Sequence, residues 1–319
     1  METTNLIRRR TMEQHEKDKG GPSAEAVSKT QRLLRVDQIY SRKDRQIHFV
    51  KTAKPGISQA KYERLTKTVL VVRRIISKQG MVARIEVDIR SPALNEVLLE
   101  IFKDVEGLEL NKSPPVADPE LLFHAVTGLH KRLHEEENKK ENQSKQLIND
   151  ISAVMDFVRE DFSGQMATLS SLSEKGEITY DLLWTLFPPK TQIFTKQNTL
   201  QEPQALIFKS GNYVQTQQGN YYDIDAQMIN HDGEDFGYGL ASLRINEFNG
   251  SRKVDKLEVF PLSEYPELES MKKLLVERGR KYITLLEPAC MQYGGVGVEE
   301  ESTPQGAQER RFYVSFLSF

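Results

Sequence analysis

The sequence predicts an α+β protein, with a β-hairpin and helices first and a small antiparallel β-barrel or strongly bent sheet after them. Three observations predict this class. Residues 68–89 contain two strand-like runs, residues 92–172 place apolar side chains at helical spacing, and residues 192–262 contain five short strand candidates. This order of elements is typical of an α+β protein.

Residues 1–60 are predicted to be a mostly disordered basic arm. They contain thirteen Lys and Arg against seven Asp and Glu, with Gly20, Gly21 and Pro22 as breaks. A basic arm can bind nucleic acid or acidic lipid, but here the charges are dispersed and lack interleaved aromatic residues. We therefore interpret the segment as a solvated tail and do not expect nucleic acid as a partner.

Residues 61–110 are predicted to form a β-hairpin followed by a helix. The run 68–76 is rich in β-branched residues, 77–80 contains the turn glycine Gly80, and 81–89 alternates. Ser91 before Pro92 is a strong helix start, because serine caps the first turn and proline fits its first position.

Residues 111–175 are predicted to be helical. A helix opens at Asp118-Pro119, and helical spacing resumes from Gln146 to Leu172. The polar stretch 135–145 between them is either a solvent-exposed helix or a break.

Residues 176–288 are predicted to be a β-rich domain with a closing helix. A short apolar helix at 180–187 ends at two prolines, and Asp232-Gly233 is a hairpin turn between two alternating segments. The parity of the apolar residues changes near Ala241 and Ser242, which predicts a β-bulge there. The strand candidates and the closing helix are, in order, 192–196, 205–209, 220–230, 236–246, 254–262 and 266–282.

Residues 289–319 are predicted to be a linker with a truncated end. The stretch 290–308 is Gly-rich and acidic, while 311–319 (RFYVSFLSF) is apolar and stops abruptly. We interpret this end as a truncated gene model or an incomplete sequence.

The composition places the chain among intracellular proteins, in the cytoplasm or alternatively in the nucleus. It has one cysteine, Cys290, which excludes an intramolecular disulfide framework and fits a reducing compartment. No run of 18 apolar residues is present, so we expect no membrane span. The net charge of −2 favours neither nucleic acid nor membrane as a partner.

Phosphate-binding and nucleophilic motifs fail on specific residues. A P-loop needs Lys and Ser or Thr after its glycines, but Gly294 to Gly297 has neither, so we interpret it as a flexible linker. No Gly-x-Ser-x-Gly elbow occurs, and Cys290 has no evident His partner in the sequence.

Metal-binding templates fail as well. His130 and His134 have zinc-ligand spacing, but Lys131 stands where a metalloprotease has its Glu. Asp223, Asp225, Gln227 and Glu234 fall on positions 1, 3, 5 and 12 of a calcium loop, but Met228 stands where the turn needs Gly. We predict no catalytic, cofactor-binding or metal-binding residue, and keep a metal enzyme built on this hairpin as the least favoured alternative.

Two other features suit protein contacts. Trp184, the only tryptophan, is predicted to anchor its helix in the core, with a partner-binding hot spot as the alternative. Arg244, Arg252 and Arg278 are candidates for an electropositive patch facing another domain.

A series of motifs resembles the uncharacterised N-terminal domain of large fungal AAA-family ATPases. The series is GEITYDLLWTLFP at 176–188, FGYG at 236–239, LRINEFNGSRK at 243–253, LEVFPL at 257–262 and LVERGRKY at 275–282. The hairpin at 69–89 with Ser91-Pro92 is similar to the region upstream in those proteins.

The resemblance covers about residues 68–290 and implies an ATPase context. In that family an ATPase module, which uses ATP and magnesium, follows this region, and this chain ends before such a module. We therefore expect a non-catalytic accessory region that recruits a partner or substrate or regulates the motor, present as a fragment or truncated paralogue. A stand-alone interaction module without a motor is the alternative.

Overall fold

The structure is a computed structural model that divides into two compact units, residues 1–171 and 172–319. It describes residues 32–40, 47–51, 54–57, 68–77, 80–139, 142–197, 201–232, 234–286, 295–303 and 306–314. The α+β class predicted from the sequence is confirmed, with N-terminal strands and helices followed by a bent sheet and a closing helix.

Unit 1 contains a six-stranded sheet with the order β3-β2-β1-β4-β5-β6. Strands β1 and β4 are parallel, and the other neighbours are antiparallel. Its strands are β1 Leu33–Tyr40, β2 Ile47–Lys51, β3 Lys54–Ile57, β4 Leu70–Ile76, β5 Val82–Ile89 and β6 Val116–Ala117.

The first three strands correct the prediction that residues 1–60 are mostly disordered. Val36 on β1 and Phe49 on β2 are buried with Val71 of β4. The excess of basic charge and the Gly and Pro breaks suggested a tail, but burial of a few apolar residues against a strand distant in sequence outweighs local composition. Apart from Arg32, which precedes β1, the other residues of the predicted basic arm lie outside the described residues.

The predicted hairpin of unit 1 is confirmed as β4 and β5, which pair antiparallel from Leu70 and Ile89 onward. The helix α1 (Pro92–Ile101) follows it, and the Ser91 hydroxyl accepts the Leu94 N–H at 3.3 Å. The same hydroxyl donates to Asp150 Oδ2 at 2.7 Å, so the cap is also tied to a buried carboxylate.

Three more helices follow, α2 (Pro119–Glu137), α3 (Lys145–Asp161) and α4 (Ser163–Ser173). Asp118 caps α2 as its side chain accepts the Glu120 N–H, and Ser144 caps α3 by accepting the Leu147 N–H. The polar stretch 135–145 is therefore the end of one helix, a break and a new start.

The sheet of unit 1 carries charged side chains on both faces. On one face Arg35 of β1 donates to Asp161 of α3, and its guanidinium lies 5.8 Å from the Phe157 ring centroid. On the other face Arg73 donates to Asp88 Oδ1 at 2.8 Å and to Glu86 Oε2 at 2.6 Å. Asp88 is only 1% exposed, and it also accepts from Arg90 Nη2 at 3.3 Å, so two arginines offset the burial of its carboxylate.

Unit 2 contains a five-stranded antiparallel sheet with the order β11-β10-β9-β8-β13, and the strands β7 and β12 pair separately. The apolar helix predicted at 180–187 is the 3-10 helix Tyr180–Leu186. The strands are β7 Glu177–Thr179, β8 Gln192–Lys196, β9 Pro203–Thr216, β10 Gly219–His231, β11 Phe236–Asn246, β12 Ser251–Lys253 and β13 Val259–Pro261.

The predicted hairpin around Asp232 is confirmed, because β10 and β11 pair continuously from His231 and Phe236 onward. Gly233 itself lies outside the described residues. The predicted bulge at Ala241 and Ser242 is wrong, since that register is unbroken. The irregularity lies instead between β9 and β10, where the register shifts at Asp225.

Exposed apolar side chains explain the parity change that suggested a bulge. Phe236, Tyr238 and Leu240 share the exposed face of β11, while the small residues Gly239 and Ala241 face the other way and are half-buried. An apolar side chain on the exposed face produces the same sequence pattern as a bulge.

An aromatic core fixes the concave part of the unit. The Phe187 ring stacks against Phe208 and Tyr222, with centroid separations of 5.4 and 6.1 Å. Tyr222 lies over Gly211, where a Cβ atom would stand 2.6 Å from Tyr222 Cζ. Glycine is therefore required at 211 for the ring to approach the strand.

The closing helix α5 (Leu268–Thr284) is attached to the sheet by few contacts. Met271 is its buried side chain, and Arg278 Nη1 donates to the Pro203 carbonyl oxygen at 2.6 Å. None of the helices among the described residues combines the length and apolar character that crossing a membrane requires.

The predicted linker at 289–319 is corrected over most of its length. The strands β14 (Gly295–Thr303) and β15 (Gly306–Val314) form an antiparallel hairpin. The Gly-rich and acidic composition suggested a linker, but backbone pairing does not require apolar residues. Cys290 and residues 315–319 lie outside the described residues.

Candidate functional site

The sheet of unit 2 bends so that its two edge strands approach without pairing. Strands β11 and β13 have Cα atoms within 8 Å of each other, yet they share no ladder, and the sheet does not close into a barrel. We call the gap between β11 and β13 the seam. The sequence predicted either a small barrel or a strongly bent sheet, and the structure has the bent sheet.

A cavity of about 1020 Å³ opens along the seam. That volume falls at or just above the upper end of the usual range for ligand pockets, roughly 300–1000 Å³. Its lining residues come from β8, β11 and β13, from the residues that precede β9 and β13, and from the segment before α5. They are Phe194, Thr195, Lys196, Gln201, Ser242, Leu243, Arg244, Asn246, Asp255, Lys256, Leu257, Glu258, Val259, Phe260, Tyr265, Pro266 and Glu267.

The apolar part of the seam is an aromatic cluster. The Phe194 ring centroid lies 5.0 Å from that of Phe260 and 4.8 Å from that of Tyr265. Phe194 and Phe260 are opposite each other across β8 and β13, so both point to the same face of the sheet. The Phe194 and Phe260 rings are buried, whereas Tyr265 is half-exposed, so Tyr265 is the ring of the cluster that is most open to the cavity.

The charges of the seam are only partly balanced. Lys256 Nζ lies 3.3 Å from Asp255 Oδ2, and Arg252 Nη1 lies 3.7 Å from Glu258 Oε1. Lys196 and Arg244 form no ion pair with an acidic side chain of the described residues, and Arg244 lies over the Tyr221 ring at 4.9 Å. Two cations and one anion, Glu267, are therefore left without an ion-pair partner among the described residues of the seam.

The backbone of β11 also faces the seam. The Glu247 N–H donates to the Asn220 carbonyl oxygen at 2.9 Å, and the Asp232 N–H donates to the Asp235 carbonyl oxygen at 3.3 Å. The register between these two bonds is unbroken, and bonded pairs alternate along an antiparallel ladder. The odd-numbered residues of β11 thus bond to β10, and the even-numbered ones point their N–H and C=O groups to the open side.

No strand among the residues that the structure describes pairs with this open side of β11. Ser242, Arg244 and Asn246 are the even-numbered residues that line the seam. An unpaired row of alternating donors and acceptors is a template for an added strand.

The acidic residues of the calcium-loop template do not come together. Asp223 and Asp225 lie on one face of β10, where Asp225 Oδ2 accepts the Ser210 hydroxyl at 2.9 Å and Asp223 Oδ1 the Ser242 hydroxyl at 3.4 Å. Glu234 lies in the hairpin turn, beyond the end of the strand. Their surroundings are strands rather than the helices of a calcium site.

The other metal candidate is the histidine pair. His130 and His134 lie one turn apart on α2. Among the described residues, no group of three or more His, Cys, Asp or Glu side chains is placed to hold a metal ion.

The three arginines considered as one patch make separate contacts. Arg244 lies over Tyr221, Arg252 lies over the Phe248 ring at 4.5 Å, and Arg278 binds the Pro203 carbonyl oxygen. Only Arg244 is among the residues that line the seam.

The comparisons with known proteins give one match. Residues 168–266 match the family described as a domain of unknown function, DUF7025. The matched region contains the strands of the five-stranded sheet and most of the seam, including Tyr265. The searches of curated proteins and of solved structures found no match.

Trp184 is buried in the 3-10 helix of unit 2, where its side chain is part of the core.

The sequence did not indicate that Lys196, Phe260 and Tyr265 belong to a common site. Nothing in their spacing brings them together, because the bend of the sheet creates the seam.

Proposed function

We propose that this chain is a non-catalytic accessory region of an AAA-type ATPase, and that the seam of unit 2 recruits a protein partner or substrate. The open edge of β11 beside a partly cationic groove is the observation that carries the proposal. The motif series at 176–282 supplies the ATPase context, and the match to an uncharacterised domain is compatible with it.

The ligand that suits the seam best is an acidic segment in extended conformation. Its backbone would bond to the outward N–H and C=O groups of Ser242, Arg244 and Asn246. A strand between β11 and β13 needs roughly 9.6 Å between them, so β13 would move outward where its Cα atoms lie within 8 Å of β11. An acidic side chain would meet Lys196 and Arg244, and an apolar side chain would pack on Tyr265. About five extended residues span roughly 17 Å, which matches the length of β8 or of the seam half of β11.

A peptide array tests the binding surface. Random linear peptides are screened against the whole chain, against Arg244→Glu and against Lys273→Glu, an exposed lysine of α5 outside the seam. We expect enriched peptides to be acidic, to lose at least tenfold in affinity for Arg244→Glu, and to bind Lys273→Glu normally. Equal binding to all three proteins would remove the seam as the site.

A second experiment tests the ATPase context. An ATPase module taken from a protein with the same motif series is mixed with this chain, and ATP turnover is measured. We expect turnover to change on mixing, and the change to be lost with Arg244→Glu but not with Lys273→Glu. Peptide binding without any effect on the module would favour the stand-alone interaction module instead.

A further inference from the structure

The first half of β11 presents an apolar row that the seam does not use. Ser242, Leu243, Arg244 and Asn246 line the seam, whereas residues 236–241 lie beyond it. We call residues 236–241 the free half. In the free half Phe236, Tyr238 and Leu240 are 52%, 66% and 72% exposed, and Ile229 opposite Tyr238 on β10 is 67% exposed. Four large apolar side chains on one patch are characteristic of an interaction surface.

The backbone of the free half is as open as that of the seam. By the alternation described above, Phe236, Tyr238 and Leu240 are also the residues whose N–H and C=O groups point away from β10. The free half contains no Lys, no Pro and no charged side chain, which are the usual protections of an edge strand. The same three residues therefore offer both the hydrogen bonds and the apolar contacts.

We propose that two copies of this chain pair through the free halves of their β11 strands, antiparallel and with the two-fold axis at Tyr238. This arrangement sets Tyr238 opposite Tyr238 of the second copy and Phe236 opposite its Leu240. In the pairs 236–240, 238–238 and 240–236, the N–H and C=O groups of the two residues point toward each other. The side chains of each pair lie on the same face of the joined sheet. Ile229 of each copy extends the apolar patch on both sides of the axis.

The charges beside the free half favour a second copy over an unrelated strand. With the axis at Tyr238, Glu234 in the turn of one copy comes beside Ser242 of the other copy and diagonal to its Arg244. Asp232 Oδ1 accepts the N–H groups of Glu234 and Asp235 at 2.9 Å, and these bonds hold the pKa of its carboxyl below the usual range. The acidic turn and the arginine are thus complementary under the same two-fold that matches the apolar residues.

The register is set by the same residues. An axis at Leu240 would put Phe236 opposite Arg244 and Tyr238 opposite Ser242, which separates the apolar side chains. An axis at Gly239 would leave Phe236 opposite Ser242. Only the axis at Tyr238 pairs all three apolar residues with one another. Its backbone pairing spans residues 236–240 and leaves the N–H and C=O groups of residues 242–246 to the seam, so this proposal does not depend on the proposed function.

Cysteine cross-linking tests both the contact and its register. In the whole chain with Cys290→Ser, the variants Tyr238→Cys and Leu240→Cys are compared under mild oxidation. Bonded pairs in an antiparallel ladder have Cα atoms about 5.5 Å apart, within the disulfide range. Two cysteines at 240 would be offset by four residues, about 13 Å, which is too far for a disulfide.

We expect the Tyr238→Cys variant to form a covalent dimer at least tenfold faster than the Leu240→Cys variant. Sedimentation of the unmodified chain up to about 100 µM, a range suited to weak association, should show a reversible dimer. Leu240→Asp should abolish the dimer, whereas Val276→Asp, a change at an exposed apolar residue of α5, should leave it intact. Equal cross-linking of the two variants, faster reaction at position 240, or a strictly monomeric chain would each overturn the proposal.

Discussion

Replacing Gly211 with alanine tests how the core of unit 2 is packed. The added methyl group would lie 2.6 Å from Tyr222 Cζ and closer still to the Tyr222 hydroxyl. Tyr222 cannot move away easily, because its ring stacks on Phe187 and its centroid lies 4.7 Å from that of Tyr213. The clash must therefore be absorbed by the strands.

The expected cost follows from two opposing terms. Overpacking of a well-packed core costs about 1–3 kcal/mol. Replacing glycine restricts the unfolded chain and returns about 0.4–1 kcal/mol. We expect Gly211→Ala to lower the free energy of unfolding of unit 2 by about 1–2 kcal/mol, which lowers the urea midpoint by up to about 1 M.

Tryptophan fluorescence during urea unfolding is the measurement, because Trp184 is the only tryptophan and is buried in unit 2. The matched control is Gly237→Ala on β11, where a Cβ would meet no atom within 4 Å. In a Tyr222→Ala background, Gly211→Ala should change the free energy of unfolding very little, because the clashing ring is gone. A Gly211→Ala midpoint equal to that of Gly237→Ala would refute this description of the core.

Three further predictions concern unit 1. Ser91→Ala should lower the free energy of unfolding, measured by chemical denaturation, by about 2–3 kcal/mol, because it removes a helix cap and the donor to buried Asp150. Ser144→Ala removes a cap alone and should lower it by only about 1 kcal/mol, so equal losses would contradict the role of Asp150. Arg73→Met should lower the free energy of unfolding by about 3 kcal/mol or more in the same assay, because the buried Asp88 carboxylate loses a donor. An unchanged free energy of unfolding would mean that water reaches Asp88. A hydrogen bond from Lys139 lowers the pKa of Glu136 below its ordinary 4.5, so the stability that this carboxylate contributes is present above pH 4.5 and is lost as the pH falls through the lowered pKa. Glu136→Gln should therefore flatten the loss of unfolding free energy in that pH window, and an unchanged pH profile would exclude Glu136 as the source of that loss.

Local patterns in the sequence predicted the local structure well. The pair Ser91-Pro92 marks the start of α1, and the Asp232 turn joins β10 to β11, because caps and tight turns depend on a few adjacent residues. The strand β1 was missed since its partner β4 lies far along the chain, and no local pattern records that pairing.

The candidate site was less predictable than the fold. Phe236, Tyr238 and Leu240 were visible as a parity change, but a sequence pattern cannot distinguish a bulge from an exposed apolar row. The seam depends on the bend of the whole sheet, which brings Arg244 and Lys196 to one groove from strands that are distant in sequence.

Hydrogen exchange of the backbone amides tests the central claim most directly, with the tightest peptide from the array as the probe. We expect the peptide to slow exchange at Ser242, Arg244 and Asn246, whose N–H groups face the seam, and to leave the odd-numbered amides of β11 little changed. Protection confined to α5 or to the β10–β11 turn, with no change at these three amides, would contradict the claim that the seam receives an added strand.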